Sequence, residues 1–306
     1  MKDPLIFKNR STKALEREKV YGEKAIKLLY QSPPLLKIFT CFLLPLFARC
    51  KALSHYYGRC QKSPRSKKKV LPFIARYNLD TTEFQQSPET FISFNDFFTR
   101  KLKPEKRPLA PTDLILPADA RYLVYPDISP GHNFKVKNQT YCLQKLLRDK
   151  NLAERYHGGA LVIARLAPVD YHRYHFPCDC TPTKSQFIDG PLYSVNPLAL
   201  QKNINYLIEN KRMITHLETE KLGTILFIEV GATYVGTIHQ TYNPNTPQKK
   251  GAEKGYFSFG GSSLILLFEP NKIQLDQDLI DATAEGYEMK ANFGESLGVS
   301  DLGEKR

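Results

Sequence analysis

A serine lies in a glycine-rich turn between two segments with strand-like sequence patterns. Phe257 and Phe259 alternate with polar residues, two glycines follow, and residues 264–268 are apolar throughout. If the backbone of this turn is strained, the hydroxyl of Ser262 could attack the carbonyl of Gly261, which no side chain obstructs. The other interpretation is a plain hairpin turn in which the serine only bonds the loop. Attack requires a base, so the chemistry depends on the rest of the chain.

Three residues that could help to move the proton of Ser262 occur earlier in the chain. Asp119 interrupts an apolar segment over residues 114–124, where a turn aspartate that bonds its own backbone is the alternative. His172 and His175 lie three residues apart in a segment that prolines flank, and histidine is the commonest general base. The chain order of Asp119, His175 and Ser262 also occurs in subtilisin-like enzymes, so a membrane-associated serine hydrolase is one candidate function.

The histidine segment also contains two cysteines, which raises the question of a metal. His172, His175, Cys178 and Cys180 follow one another at a spacing tighter than that of structural zinc pairs, and the sequence offers no second pair. We therefore expect no metal. The six cysteines are scattered and no export signal precedes them, which favours free thiols in a reducing compartment.

The positive charge is concentrated at the N-terminus. Residues 1–70 hold 17 Lys and Arg against 4 Asp and Glu, a net of +13, which equals the net charge of the whole chain. These cations flank an apolar segment at residues 35–48, which Lys37 and Pro45 interrupt. The segment is too short to span a bilayer, which takes about 20 apolar residues, but it suits a helix lying in an anionic membrane surface. The run from Lys67 to Lys69 adds cations that lipid phosphates attract.

From this charge distribution we expect residues 1–70 to form a basic amphipathic helical region that associates with a membrane rather than with nucleic acid. The expected location is peripheral, on the cytoplasmic side of the cell membrane. A buried helix with a solvated basic face is the alternative.

Sequence patterns predict the remaining elements only coarsely. Helical spacing predicts helices over residues 12–30, 141–156 and 198–212. Ser93 is a predicted N-cap, residues 160–164 form a predicted buried strand, and residues 223–238 form two predicted strands hinged at Gly231. Lys211 and Arg212, at a predicted exposed helix end, are candidate phosphate ligands. Periodicity alone therefore supports an α+β fold.

Five separated blocks of the sequence stand out together: Phe-Asn-Asp-Phe-Phe-Thr-Arg at 94–100, Pro-Ala-Asp at 117–119, Arg-Leu-Ala-Pro-Val-Asp-Tyr-His-Arg-Tyr-His-Phe-Pro at 165–177, Val-Gly-Ala-Thr-Tyr-Val-Gly at 230–236 and Gly-Tyr-Phe-Ser-Phe-Gly-Gly-Ser at 255–262. In this order they resemble the phosphatidylserine decarboxylases, a family of self-processing pyruvoyl enzymes. Two positions depart from the family pattern, which usually has glycine at Ala120 and often has threonine at Ser263. The resemblance extends over about residues 70 to 300.

The resemblance implies roles for the candidate residues. Asp119, His175 and Ser262 would act together in self-processing, with His175 taking the proton of Ser262 and Asp119 orienting the histidine. Cleavage between Gly261 and Ser262 would give a beta chain, residues 1–261, and an alpha chain, residues 262–306, that begins with a pyruvoyl group made from Ser262. That group would bind phosphatidylserine as a Schiff base and accept the electrons released with carbon dioxide, giving phosphatidylethanolamine. His172 would donate a proton to the substrate or orient it.

The resemblance also implies an architecture and partners. Residues 71–306 would form a mainly β catalytic domain, with lipoyl-like or barrel-sandwich-like β units, behind the helical N-terminal region. The partners would be phosphatidylserine in an anionic membrane and the other chain cut from the same precursor, with a homodimer left open. A non-enzymatic membrane scaffold is the remaining alternative, and it would tolerate replacement of Ser262.

Overall fold

The computed structural model describes residues 5–22, 48–49, 51–129, 135–136, 139–140, 142–200, 203, 205–232, 237–260 and 262–301. Most of the apolar segment at residues 35–48 lies outside these ranges, as does Gly261.

Strands outnumber helices in the described chain. The strands are β1 Ile6–Asn9, β2 Leu15–Arg17, β3 Leu114–Ile115, β4 Ala120–Tyr125, β5 Lys135–Val136, β6 Gln139–Thr140, β7 Ala160–Leu166, β8 Arg173–His175, β9 Thr181–Pro182, β10 Gln186–Ile188, β11 Arg212–Glu218, β12 Thr224–Gly231, β13 Ile238–Gln240, β14 Glu253–Phe257, β15 Ser262–Phe268, β16 Ile273–Leu275, β17 Glu288–Ala291 and β18 Ser296–Ser300. The α-helices are α1 Lys51–Lys62, α2 Val70–Tyr77, α3 Phe94–Phe98, α4 Leu143–Leu147, α5 Lys150–Arg155, α6 Pro197–Leu200, α7 Tyr206–Glu209 and α8 Gln277–Ala284. The prediction of a mainly β α+β fold is confirmed, whereas the further likeness to lipoyl domains stays a prediction.

One large sheet organises the molecule. Within the described residues it has 10 strands, in the order β10-β11-β12-β15-β7-β4-β17-β1-β2, with β9 paired to β11. Smaller sheets follow the orders β13-β14-β8 and β16-β18-β3, and β5 pairs with β6. Strand β15 lies at the centre of the large sheet, antiparallel to both β12 and β7.

The central strands β7, β12 and β15 of the large sheet are buried along almost their whole length, so both faces of the sheet are covered there, since successive side chains of a strand point to opposite sides. On β15, Ile265 packs in a cluster with Leu146 of α4 and Leu207 of α7. Its neighbour Leu264 packs in a second cluster with Tyr174 of β8 and Phe257 of β14. The small sheet β13-β14-β8 therefore covers the face of β15 to which Leu264 belongs.

A third hydrophobic cluster joins the N-terminal helices to the catalytic region. Val70 and Phe73 of α2 pack with phenylalanines of α3 and with Phe259, which follows β14. The α3 helix begins at the predicted cap, because the Ser93 hydroxyl accepts a hydrogen bond from the amide of Asp96 at 3.1 Å. The N-cap prediction is confirmed.

The predicted helix over residues 12–30 is wrong in its described part. Residues 15–17 are strand β2, which forms a hairpin with β1, and β1 pairs in parallel with β17 near the other end of the chain. Residues 23–30 lie outside the described chain. The boundary at residue 70 stays a prediction, although the two strands of this hairpin belong to the large sheet.

Other predicted elements are confirmed in part. The strands β7 and β12 lie where strands were predicted, and β12 ends at Gly231. The predicted helices over residues 141–156 and 198–212 are each two short helices. Arg212 is not at an exposed helix end but begins β11, fully buried, and it donates to the carbonyl oxygens of Leu146 at 2.7 Å and Asn210 at 2.8 Å.

Candidate active site

The turn before Ser262 connects two different sheets. Strand β14 pairs with β13 and β8, whereas β15 pairs with β12 and β7. The two predicted strands are confirmed, and the hairpin interpretation is wrong because β14 and β15 do not pair with each other; the predicted tight turn stays a prediction, since Gly261 lies outside the described residues. Gly260 has a φ of 142°, in the left-handed region that favours glycine.

The turn is held in place from the side of α3. The side-chain oxygen of Asn95 accepts a hydrogen bond from the amide of Phe259 at 2.9 Å. The Phe259 ring packs at 5.0 Å from Phe94 and 4.9 Å from Phe98, measured between ring centroids. The first sequence block thus fixes the backbone two residues before Gly261, which is a role that the sequence did not predict.

Ser262 is fully buried, and its hydroxyl has no hydrogen-bond partner among the described atoms. In register it lies between Gly231 on β12 and Leu166 on β7. By strand alternation its side chain shares a face with Leu264, the face that β13-β14-β8 covers. Ser263 points to the opposite face. Only the hydroxyl of Ser262 is therefore directed toward the sheet that carries His175.

Both candidate histidines are held in the tautomer that suits a base. The Nδ1 of His175 is 2.9 Å from the carbonyl oxygen of Gly251, and the Nδ1 of His172 is 2.9 Å from that of Asp170. Because a carbonyl oxygen only accepts, each neutral ring carries its proton on Nδ1 and leaves a lone pair on Nε2. The Nε2 of His175 lies 3.3 Å from the hydroxyl of Tyr171, whereas the buried Nε2 of His172 has no partner in the described chain.

Burial keeps both histidines neutral at physiological pH. Removal from water lowers the pKa of His172 from 6.5 to about 3 and that of His175 from 6.5 to about 4. The His172 ring packs 3.8 Å from Phe98, and the His175 ring stacks 3.7 Å from Phe293. At neutral pH both rings are therefore neutral with a free lone pair on Nε2, and burial disfavours their protonated forms.

These pKa values predict that acid destabilises the fold. Both histidines have a folded pKa below the usual 6.5, so the unfolded state binds more protons as the pH falls from about 6.5 toward 4. Stability present above pH 6.5 is lost over that range, at about 1.4 kcal/mol for each unit of pKa difference. Urea unfolding at pH 7 and pH 4.5 measures the loss. In a variant with both His172→Asn and His175→Asn, the free energy of unfolding should fall markedly less between pH 7 and pH 4.5. An equal fall would contradict the assignment of the acid sensitivity to these two histidines.

Asp119 is bound to partners other than the histidines. Its carboxylate accepts from Arg107, with the shortest contact at 2.7 Å, and Arg107 also pairs with Glu83 at 2.9 Å. The carboxylate further accepts from the amide of Phe293 at 2.8 Å, and the ring of Phe293 stacks on His175. The described hydrogen bonds do not join Asp119, His175 and Ser262 directly. The structure connects the first two through Phe293.

A buried ion pair that was not predicted from the sequence lies beside the candidate site. Lys254 of β14 pairs with Glu229 of β12, both fully buried, and also contacts the hydroxyl of Thr215 at 2.9 Å. Glu229 is opposite Leu264 on β15, and Leu264 lies two residues after Ser262 on that strand. The pair ties the large sheet to the sheet of His175. A glutamate inside the apolar strand Thr224–Gly231 was the signal that could have indicated it.

Metal-ligating residues do not converge in the described part of the chain. Within it, no group of three or more histidine, cysteine or acidic side chains could hold a metal ion. Cys178 and Cys180 are buried free cysteines.

Comparison with known proteins gives one consistent result. Residues 94–299 match the profile of the family described as phosphatidylserine decarboxylase. The chain is similar to the phosphatidylserine decarboxylase proenzyme of Chlamydia pneumoniae, with 46% identity over 296 residues that cover 95% of this chain and 96% of the relative. It is also similar to the protein of that name from Clostridium botulinum, with 42% identity over 96% of this chain and 98% of the relative.

Proposed function

Because the chain belongs to the phosphatidylserine decarboxylase family, we propose that Ser262 is the source of a pyruvoyl prosthetic group. The enzyme converts phosphatidylserine to phosphatidylethanolamine and carbon dioxide. The observation that carries the proposal is the buried Ser262 hydroxyl, which has no partner among the described atoms. A buried hydroxyl without a partner costs stability, and Ser263 shares this feature, so what singles out Ser262 is that it directly follows Gly261 and points to the face of β15 that the sheet β13-β14-β8 covers. Family membership decides against the hydrolase and the scaffold.

Self-processing would proceed by attack of the Ser262 oxygen on the carbonyl carbon of Gly261. The peptide C–N bond breaks and an ester forms, while the serine nitrogen becomes a free amine. Removal of the α-proton of residue 262 then expels the Gly261 carboxylate and leaves dehydroalanine. Addition of water and loss of ammonia give the pyruvoyl group. The products are a beta chain, residues 1–261, and an alpha chain, residues 262–306.

We assign the proton transfers of this step to His175. Its Nε2 carries a lone pair at neutral pH because Nδ1 bonds the Gly251 carbonyl oxygen. To reach Ser262 the ring must give up its contact with the hydroxyl of Tyr171. Asp119 accepts a hydrogen bond from the amide of Phe293, whose ring stacks on His175, so Asp119 would act as a positioning residue.

The surroundings of Ser262 fit a pyruvoyl group. The position is closed to water, and its neighbour on β12 is Gly231, which has no side chain to occupy the space. A pyruvoyl carbonyl binds the substrate amine and accepts the electron pair that remains when carbon dioxide leaves. We propose that His172 returns a proton to the substrate carbon. Since its resting Nε2 is unprotonated, His172 must first take a proton from the substrate or from water.

The mass of the denatured protein tests self-processing. Two chains that separate between residues 261 and 262 are expected, and the 45-residue alpha chain should be lighter by one ammonia than simple hydrolysis gives. Release of carbon dioxide from phosphatidylserine by the same sample tests the reaction. An active protein with one uncut chain of 35.0 kDa would overturn the pyruvoyl proposal.

We further propose that the N-terminal region binds the cytoplasmic surface of the cell membrane. No described helix is long and apolar enough to cross a membrane. Lys67, Lys68 and Lys69 are exposed, and the exposed Leu71 follows them. The helix that begins at Val70 packs its buried face against the aromatic cluster of Phe259, so a lipid surface held here would lie beside the processing turn.

Replacing Lys67, Lys68 and Lys69 by glutamine should weaken binding to anionic vesicles about 100-fold. Each lysine near an anionic surface contributes about 1 kcal/mol, and 1.4 kcal/mol is a factor of ten. Sedimentation with vesicles that contain 30% phosphatidylserine measures the change. The control replaces three exposed lysines elsewhere, Lys184, Lys221 and Lys249, and removes the same charge. Equal losses in both variants would mean that only net charge matters.

A further inference from the structure

A cavity of about 430 Å³ lies next to the candidate active site. Asp119 and Tyr171 line one side of it, and the loop from Ala167 to Asp170 lines another. The hydroxyl of Tyr171 is 3.3 Å from Nε2 of His175, so a group bound in the cavity would lie close to the proposed chemistry. The mechanism above does not use this space.

The charges that line the cavity are not balanced by one another. Its lining contains the cations Arg17, Lys19, Arg100, Arg107, Arg121 and Lys290. It contains the carboxylates of Glu18, Asp80, Glu83, Asp119 and Asp170. Arg107 pairs with Glu83 and Asp119, and Arg121 pairs with Asp170 and Glu18. Each of these two arginines contacts two carboxylates, and the six cations exceed the five carboxylates by one charge.

Arg100 is a buried cation that takes part in none of these ion pairs. It is 5% exposed and forms no ion pair with the described residues, and its Nε has no hydrogen-bond partner there. Its guanidinium lies 4.9 Å from the rings of Phe84 and Phe97, which fix its position. Burial lowers the pKa of Arg100 to about 10. Asp119, Asp170 and Glu83 act on Arg100 from a distance and favour its charged form, but burial outweighs them, and an anion in direct contact with the guanidinium would stabilise it further.

Arg100 is also linked to the proposed proton donor. Its Nη2 donates to the carbonyl oxygen of Asp170 at 3.2 Å, and the same oxygen accepts from Nδ1 of His172 at 2.9 Å. A second donation reaches the carbonyl oxygen of Val169 at 3.0 Å. An anion at Arg100 would therefore be separated from His172 by a single peptide carbonyl.

We propose that this cavity binds the phosphodiester of the lipid headgroup and that Arg100 is its principal ligand. This inference rests on the proposed function. The headgroup carries two anionic groups, a carboxylate and a phosphodiester. A fixed cation on the carboxylate would stabilise the charge that decarboxylation removes and would oppose the reaction. The phosphodiester keeps its charge throughout, so a cation there binds substrate, transition state and product equally.

Kinetics of an Arg100→Gln variant test the proposal with short-chain phosphatidylserine. Charge-assisted hydrogen bonds of this kind are worth roughly a 10- to 100-fold change in binding. We expect KM to rise by that factor and kcat, per cleaved chain, to change less than about threefold. Glycerophosphoethanolamine, which has the phosphodiester but no carboxylate, should lose inhibitory strength by the same factor as KM rises. Arg155→Gln removes a half-exposed arginine elsewhere and is the matched control.

Each outcome decides between alternatives. A raised KM with unchanged inhibition by glycerophosphoethanolamine would place the carboxylate at Arg100 and overturn the phosphodiester assignment. Unchanged KM and inhibition would overturn the subsite itself. If Arg100→Gln does not fold, Arg100→Lys keeps the charge but loses the planar guanidinium group. KM for phosphatidylserine and the inhibition constant of glycerophosphoethanolamine are then both expected to rise severalfold. Failure of the unaltered protein to release carbon dioxide would instead overturn the proposed function.

Discussion

Ser262→Ala is expected to leave the protein as one uncut chain of 35.0 kDa that releases no carbon dioxide from phosphatidylserine. The substitution removes the attacking oxygen and with it the only source of the proposed pyruvoyl group. The fold should survive, because the lost hydroxyl has no hydrogen-bond partner among the described atoms and its removal leaves little space. Denatured mass and carbon dioxide release from the same preparation measure both effects.

Ser263→Ala is the matched control for this experiment. Ser263 is the adjacent residue on the same strand, it is fully buried, and its hydroxyl also lacks a described partner. Its side chain points to the face of the large sheet opposite that of Ser262. This variant should be cut and should decarboxylate its substrate. Cleavage of the Ser262→Ala chain between residues 261 and 262 would contradict the mechanism.

Replacing the two histidines by asparagine should separate self-processing from decarboxylation. Asparagine can keep the bond that Nδ1 donates to the carbonyl of Gly251 or Asp170, but it lacks the basic Nε2. We expect His175→Asn to slow cleavage by about 10² to 10⁴, the usual contribution of general base catalysis. The His172→Asn chain should be cut at the normal rate, and its rate of decarboxylation should fall by a similar factor.

Cleavage is followed by mass over time, and carbon dioxide release is expressed per cleaved chain. His157→Asn, in the turn after α5, controls for loss of a histidine outside the site. The opposite pattern, with uncut His172→Asn and cut His175→Asn, would assign the base to His172. The Nε2 of that ring has no partner among the described residues, and the ring packs on Phe98, which itself contacts Phe259, so an exchange of roles is the alternative that this pattern would support.

Local sequence patterns predicted the elements whose signal lies in neighbouring residues, even where distant strands stabilise them. The cap at Ser93 and the strand Ala160–Leu166 need only neighbouring residues for their pattern. The second half of the hairpin of residues 6–17 was predicted as the start of a helix over residues 12–30, because its apolar spacing is ambiguous. What decides its structure is the parallel pairing of β1 with β17, some 280 residues away in the chain, which periodicity cannot reveal.

The site was predictable only as a set of residue types. The resemblance selected Asp119, His172, His175 and Ser262, and their roles stay a proposal. It did not indicate that Arg107 binds Asp119 or that Asn95 holds Phe259, because those contacts join distant parts of the chain. Gly261, the acyl side of the proposed cleavage, lies outside the described residues.

The position of β15 determines what kind of product the cut would leave. The proposed alpha chain contributes β15 between β12 and β7, and β17 between β4 and β1. To dissociate, this short chain would have to break ladders on both sides of each of these strands. If the proposed cut occurs, the enzyme would be a complex of two chains that folded as one, and separated chains would have to reform these ladders between molecules. Folding would then have to precede cleavage, and a cut molecule that unfolds would not readily refold.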